Sequence, residues 1–139
     1  MAEVTQQIVD DIRGSLANLG FGEVAIGHSA GPLRLPRAEL SPAGLERSPA
    51  SDCAGQDWYA LHVTLTVMVS SAAVGSAIYQ AIKLARAAGA KLCGQPFRGG
   101  LCRHLPSGPA TSVGPARLCP DVNSPYVAVR MDITCRFAV

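Results

Sequence analysis

The residues of this chain best suited to metal chemistry are three cysteines and a histidine within one proline- and glycine-rich stretch: Cys93, Cys102, His104 and Cys119. Three thiolates and an imidazole form a donor set that binds structural zinc. The spacing argues against such a site, because zinc loops pair ligands two to four residues apart on both halves. Here only Cys102 and His104 are close, with a single residue between them. The sequence therefore predicts no metal and no other cofactor.

Cysteine and histidine side chains could also support nucleophilic catalysis. It would need His28 or His104 as a base, together with an acid and an oxyanion site that the sequence does not place nearby. Cys135 lies on the apolar side of an alternating segment, so we expect it in the core. The glycine-rich run 95–100 is not followed by the Gly-Lys-Ser/Thr ending of a phosphate loop. We predict no catalytic residues and a protein that is not an enzyme.

The composition fits a small folded domain with few charges on its surface. The chain has 139 residues, of which 48% are hydrophobic and 16% charged, which excludes a disordered chain. A surface with so little charge often packs against a partner. The formal net charge of +2 is too small to favour phosphate backbones, and the 5% aromatic content offers few rings for stacking on bases. Assembly with other proteins is favoured over nucleic-acid recognition.

The sequence predicts neither an export signal nor a membrane-spanning segment. The first eleven residues carry acids and glutamines, whereas a signal peptide needs a basic start and an apolar run. The longest apolar stretch falls well short of the ~20 residues of a membrane helix. The five cysteines are an odd number, as expected for reduced thiols. We expect a chain that is made in the cytoplasm and has no membrane partner.

Two long segments, 58–69 and 126–137, alternate between apolar and polar residues. Period two over twelve residues predicts β-strands with one buried face. At ~3.3 Å per residue each would span about 40 Å, roughly twice the usual strand length. We expect part of each strand to extend beyond the helices that cover it.

Helical periodicity marks two other segments. Residues 2–19 carry an apolar stripe that ends at Gly20, and a short strand follows at 21–26. A second helix begins after Ser70 or Ser71 and is predicted to end at Gly89. Proline and glycine interrupt residues 28–56 and 90–124, so these are predicted to be long irregular loops, with weak strand pieces at 91–93 and 116–119.

The order of these elements predicts one α+β domain over residues 1–139. Because each long strand has one apolar face, we expect a mixed or antiparallel sheet of about four strands, with two helices packed on one face. Long loops and polar strand faces are then the surfaces available to partners. The candidate contact residues are Arg34, Arg37, Trp58, His62, Arg98, Arg103, Arg130 and Arg136.

In this layout the chain resembles the tail-terminator, or tail-completion, proteins of tailed bacteriophages and related gene transfer particles. The resemblance rests on Leu-Ala-Asn-Leu-Gly-Phe-Gly at 16–22, the strand and helix of 62–88, and the closing strand 127–137. The family has no signature motif, so no functional residue is carried over.

The resemblance implies a structural virion protein at the head–tail joint, assembled in the host cytoplasm. Such proteins form a ring, generally a hexamer, that caps the tail tube and docks to the head connector or stopper, with DNA at most passing through its lumen. The nearest alternative is another joint component, a stopper or an adaptor. A small cytoplasmic enzyme or zinc-binding module that uses residues 93–119 is the alternative from a different class.

Overall fold

The computed structural model describes residues 2–27, 35–47, 58–70, 74–94, 110–119 and 126–138. This part of the chain forms two helices and five strands. In chain order they are α1 (Ala2–Leu16), β1 (Glu23–Ile26), β2 (Arg37–Arg47), β3 (Trp58–Ser70), α2 (Val74–Cys93), β4 (Ala110–Cys119) and β5 (Tyr126–Ala138).

The five strands form one mixed sheet in the order β1-β2-β3-β5-β4. Strand β1 runs parallel to β2, whereas every other neighbouring pair is antiparallel. The two alternating segments are the adjacent strands β3 and β5, paired without a register shift from Trp58 opposite Ala138 to Ser70 opposite Tyr126. The predicted α+β class is confirmed, with one strand more than the expected four.

Both helices pack on one face of the sheet, as the sequence predicted. The alternation of β3 and β5 directs residues such as Leu65 and Phe137 toward the helices, where they are fully buried. Helix α1 adds Ile8, Ile12 and Leu16, and α2 adds mainly alanines and Leu92. Each large apolar side chain that is fully buried contributes about 1.5–3 kcal/mol. Small residues on α2 allow that helix to lie close to the strands.

The helix ends differ from those expected. Helix α1 ends at Leu16 rather than Leu19, and a turn follows in which the Leu19 N–H donates to the Leu16 carbonyl. Gly20 has φ 98°, as expected of a left-handed stop. Helix α2 does not end at Gly89 and continues to Cys93. The predicted end is wrong because Gly89 is half-buried against the sheet and the buried stripe continues to Leu92.

Both predicted loops contain a strand of ten or eleven residues, which corrects the prediction that 28–56 and 90–124 are long irregular loops. Strand β2 lies within the first segment and β4 within the second. Each has a register shift, between Pro42 and Gly44 in β2 and between Val113 and Ala116 in β4. Such bulges break the period-two pattern that marks a strand in a sequence. The piece expected at 116–119 belongs to β4, whereas 91–93 is helical.

Candidate interaction surface

The face of the sheet opposite the helices carries polar side chains. Cross-strand register places Thr66 beside Arg130 and Thr64 beside Asp132. Arg130 and Asp132 are exposed, while Thr64 is buried among its neighbours. No helix of the described residues packs on this side of the sheet. We call it the open face.

Side-chain contacts on the open face connect β2, β3 and β5. The Nδ1 of His62 lies 3.2 Å from Oγ1 of Thr134 in a hydrogen bond whose donor depends on the histidine tautomer. The His62 Nε2 is 3.5 Å from Oε1 of Glu46, close enough for an ion pair when the ring is protonated but without hydrogen-bond geometry. Because the Glu46 side chain is 74% exposed, this pair contributes at most about 1 kcal/mol.

Four of the contact residues predicted from the sequence lie on this open face. Arg130 and Arg136 are exposed, whereas Trp58 and His62 are half-buried. The Trp58 Nε1 is buried and has no hydrogen-bond partner within the described part of the chain. Contact with a partner remains a prediction for these four residues. Arg34, Arg98 and Arg103 lie outside the described residues.

Arg37 corrects the sequence prediction, because it is not an exposed loop residue. It begins β2 and is fully buried. Its Nε donates to Oε1 of Glu39 at 2.9 Å, and its Nη1 donates to the Glu23 carboxylate. A guanidinium is stable in the interior only when anionic partners compensate for lost hydration, and two carboxylates do so here. Arg37 is therefore a structural residue that joins β1 to β2.

The far half of β2 is a surface that sequence reasoning missed. Residues 41–47 are all exposed, whereas the first four residues of the strand are buried. Beside them lies a groove of about 570 Å³ between α1 and β2, lined by Thr5, Gln6, Val9, Ile26, Pro42, Ala43, Gly44, Leu45 and Leu61. Ile26 and Leu45 are 44% and 42% exposed in it. The sequence signal was the isolated Leu45 among turn-forming residues, which periodicity does not detect.

The described residues contain no group of three or more His, Cys, Asp or Glu side chains that could hold a metal ion. Cys93 ends α2 and Cys119 ends β4, while Cys102 and His104 lie outside the described residues. The zinc hypothesis is therefore not tested by this structure. Cys135 is buried on the core face, as the sequence predicted. Neither described helix is long and apolar enough to cross a membrane.

Comparison with known proteins gives a likeness among solved structures. No protein-family model matches the chain, and no curated protein matches it. Among solved structures it is similar to a chain of the virion of a native gene transfer agent (GTA) particle. The two chains share a fold. They are 18% identical, with a TM-score of 0.50 over 98% of this chain and 92% of the other.

Proposed function

We propose that this chain is a structural virion protein that forms a ring capping a tail tube and joins the tube to the head connector. The observation that carries the proposal is the fold shared with a chain of a GTA virion over nearly the full length of both. Because one fold hosts many functions, surface features of this chain must support the assignment as well.

The surfaces left uncovered in the monomer support assembly. A ring of identical subunits requires two unlike contact surfaces on each subunit, and a joint requires further surfaces for its two partners. The described part of the chain offers a polar open face, an exposed half of β2 and an apolar groove beside it. Only 16% of all residues are charged, which lowers the desolvation cost of covering large surfaces.

The proposal places the protein in the virion, at the head-proximal end of the tail, after assembly in the host cytoplasm. Its partners are further copies of itself, the tube protein on one side of the ring, and the connector or stopper on the other. DNA would at most pass through the lumen of the ring. Arg130 and Arg136 are exposed on the open face, where they could contact acidic groups of a partner.

Native mass spectrometry of the purified chain at micromolar concentration, with and without its tail-tube protein, tests the proposal. We expect a closed oligomer, a hexamer by the tail-terminator resemblance, that binds the tube protein. A strict monomer that ignores the tube protein would refute it. An oligomer that binds connector protein but not tube ends would identify a stopper or adaptor.

Metal analysis of the same preparation tests the alternative of a zinc-binding module. The proposal expects less than stoichiometric zinc and unchanged thermal stability when Cys102 or Cys119 is replaced by Ser. Stoichiometric zinc that is lost in either variant would favour the module.

A further inference from the structure

Within the described part of the chain, one edge of β2 has no partner strand over residues 41–46. Strand β1 covers β2 only from Arg37 to Leu40, and the last bond on that side runs from the Gly27 N–H to the Leu40 carbonyl at 2.8 Å. Beyond Leu40, the only strand paired with β2 among the described residues is β3. All six side chains from Ser41 to Glu46 are exposed. Their outward backbone groups therefore face solvent in the monomer.

The groove lies beyond the end of β1 at Ile26, beside residues 42–45 of β2. Leu45 is paired with Leu61 of the core face, so its side chain lies on the helix side of the sheet. A strand added next to β2 would direct alternate side chains the same way. There they would meet Val9 of α1 and the exposed side chain of Ile26. One added strand would thus both form backbone hydrogen bonds with β2 and bury apolar side chains in the groove.

We propose that residues 41–46 of β2 bind an extended strand from a second copy of this chain, with alternate side chains of that strand in the groove. The inference rests on the proposed function, since it names the contact between neighbouring subunits. An unpaired strand edge is matched by another extended backbone. A contact between neighbouring subunits of a ring joins two unlike surfaces. Strand β4, which has ten residues, is the last strand at the opposite end of the described sheet and could supply the second surface.

Local features of β2 limit which strands fit this edge. Pro42 has no N–H to donate, and the register shift between Pro42 and Gly44 bends the strand at this point. Proline and bulges on edge strands prevent indiscriminate pairing. The edge therefore accepts a partner in one register, which suits a closed ring rather than an open aggregate.

Hydrogen exchange of the monomer and of the assembled protein tests this contact directly. Those amides of residues 43–46 that point away from β3 should exchange quickly in dilute monomer and about tenfold or more slowly in the assembly, whereas the amides bonded to β3 should be slow in both. Amides of the central strand β3 should be protected in both and serve as the internal reference. If an assembly forms while these β2 amides exchange as fast as in the monomer, the edge contact is refuted but the proposed ring is not. If no assembly forms, the proposed function fails with it.

A charge placed in the groove provides the second test. Leu45→Lys should raise the dissociation constant of the assembly about tenfold or more, because the lysine must be desolvated beneath the incoming strand. Ala90→Lys, at an exposed position of α2, is the matched control and should assemble normally. Circular dichroism checks folding, and Ala43→Lys replaces Leu45→Lys if that variant unfolds. Normal assembly of a folded groove variant would overturn the proposal.

Discussion

Gly89 of α2 lies against Met131 of β5, so that a β-carbon added to the glycine would stand 3.6 Å from the methionine Sδ. This is an ordinary van der Waals distance, which leaves room for a methyl group. The helix passes through Gly89 without a break, and its φ does not require glycine. Neither packing nor backbone conformation therefore requires glycine at this position, and its backbone entropy weakens the helix.

Gly89→Ala should stabilise the fold by about 0.5–1 kcal/mol, because alanine loses less backbone entropy on folding and its methyl group contacts Met131. Urea unfolding followed by circular dichroism measures the change. Gly14→Ala in α1 is the matched control, since a β-carbon there meets no atom within 4 Å and the gain is from the backbone alone. A lower stability for Gly89→Ala would show that α2 cannot accommodate the methyl group.

Arg37→Met should destabilise the fold by about 3–5 kcal/mol. The change removes the cation between Glu23 and Glu39, and Glu39, only 8% exposed, loses the hydrogen bond from the Arg37 guanidinium. The control Arg136→Met, at an exposed position of β5, should change the unfolding free energy by less than about 0.5 kcal/mol. Denaturant titration of both variants provides the comparison.

The double variant Arg37→Met/Glu39→Gln separates lost charge pairing from lost packing. Neutralising Glu39 removes the buried negative charge that Arg37 faces, so part of the stability lost in Arg37→Met should return. If the double variant is no more stable than Arg37→Met, packing of the guanidinium stem rather than its charge is what matters.

Tyr59 and Phe137 form a cross-strand aromatic pair between β3 and β5, with ring centroids 5.7 Å apart and planes inclined by 23°. Phe137→Ala should cost about 3–5 kcal/mol because the ring is fully buried. A double-mutant cycle with Tyr59→Ala should give a coupling free energy of about 0.5–1.5 kcal/mol. Additive single effects would mean that the rings act only through their burial.

Arg136→Glu should leave the fold intact while weakening assembly or partner binding. The side chain is exposed on the open face, so its reversal should change the unfolding free energy by less than about 0.5 kcal/mol. If acidic partner groups meet this face, binding should weaken and its salt dependence should diminish. Native mass spectrometry with tube protein at two ionic strengths measures both. Unchanged binding would remove Arg136 from the contact surface.

Much of the fold is readable in the sequence where the hydrophobic period is regular. Strands β3 and β5 and the stripe of α1 follow from alternation and from three- and four-residue spacing, because each element covers one continuous face of the core. Strand β2 was missed because Pro42 and Gly44 interrupt its pattern and its far half buries no side chain. Of the candidate surface, the polar positions on the open face were predicted, whereas the β2 edge and groove were not.

The sequence by itself determined which faces of the long strands are apolar and that a small α+β core would form, because periodicity is a local property of the chain. Tertiary structure decided the burial of Arg37, since its partner Glu23 comes from a strand 14 residues earlier. It also decided that β1 pairs with β2 only as far as Leu40, so that among the described residues no strand pairs with the outer edge of β2 over residues 41–46. Pairing between distant segments depends on how the whole chain packs, which no local pattern specifies.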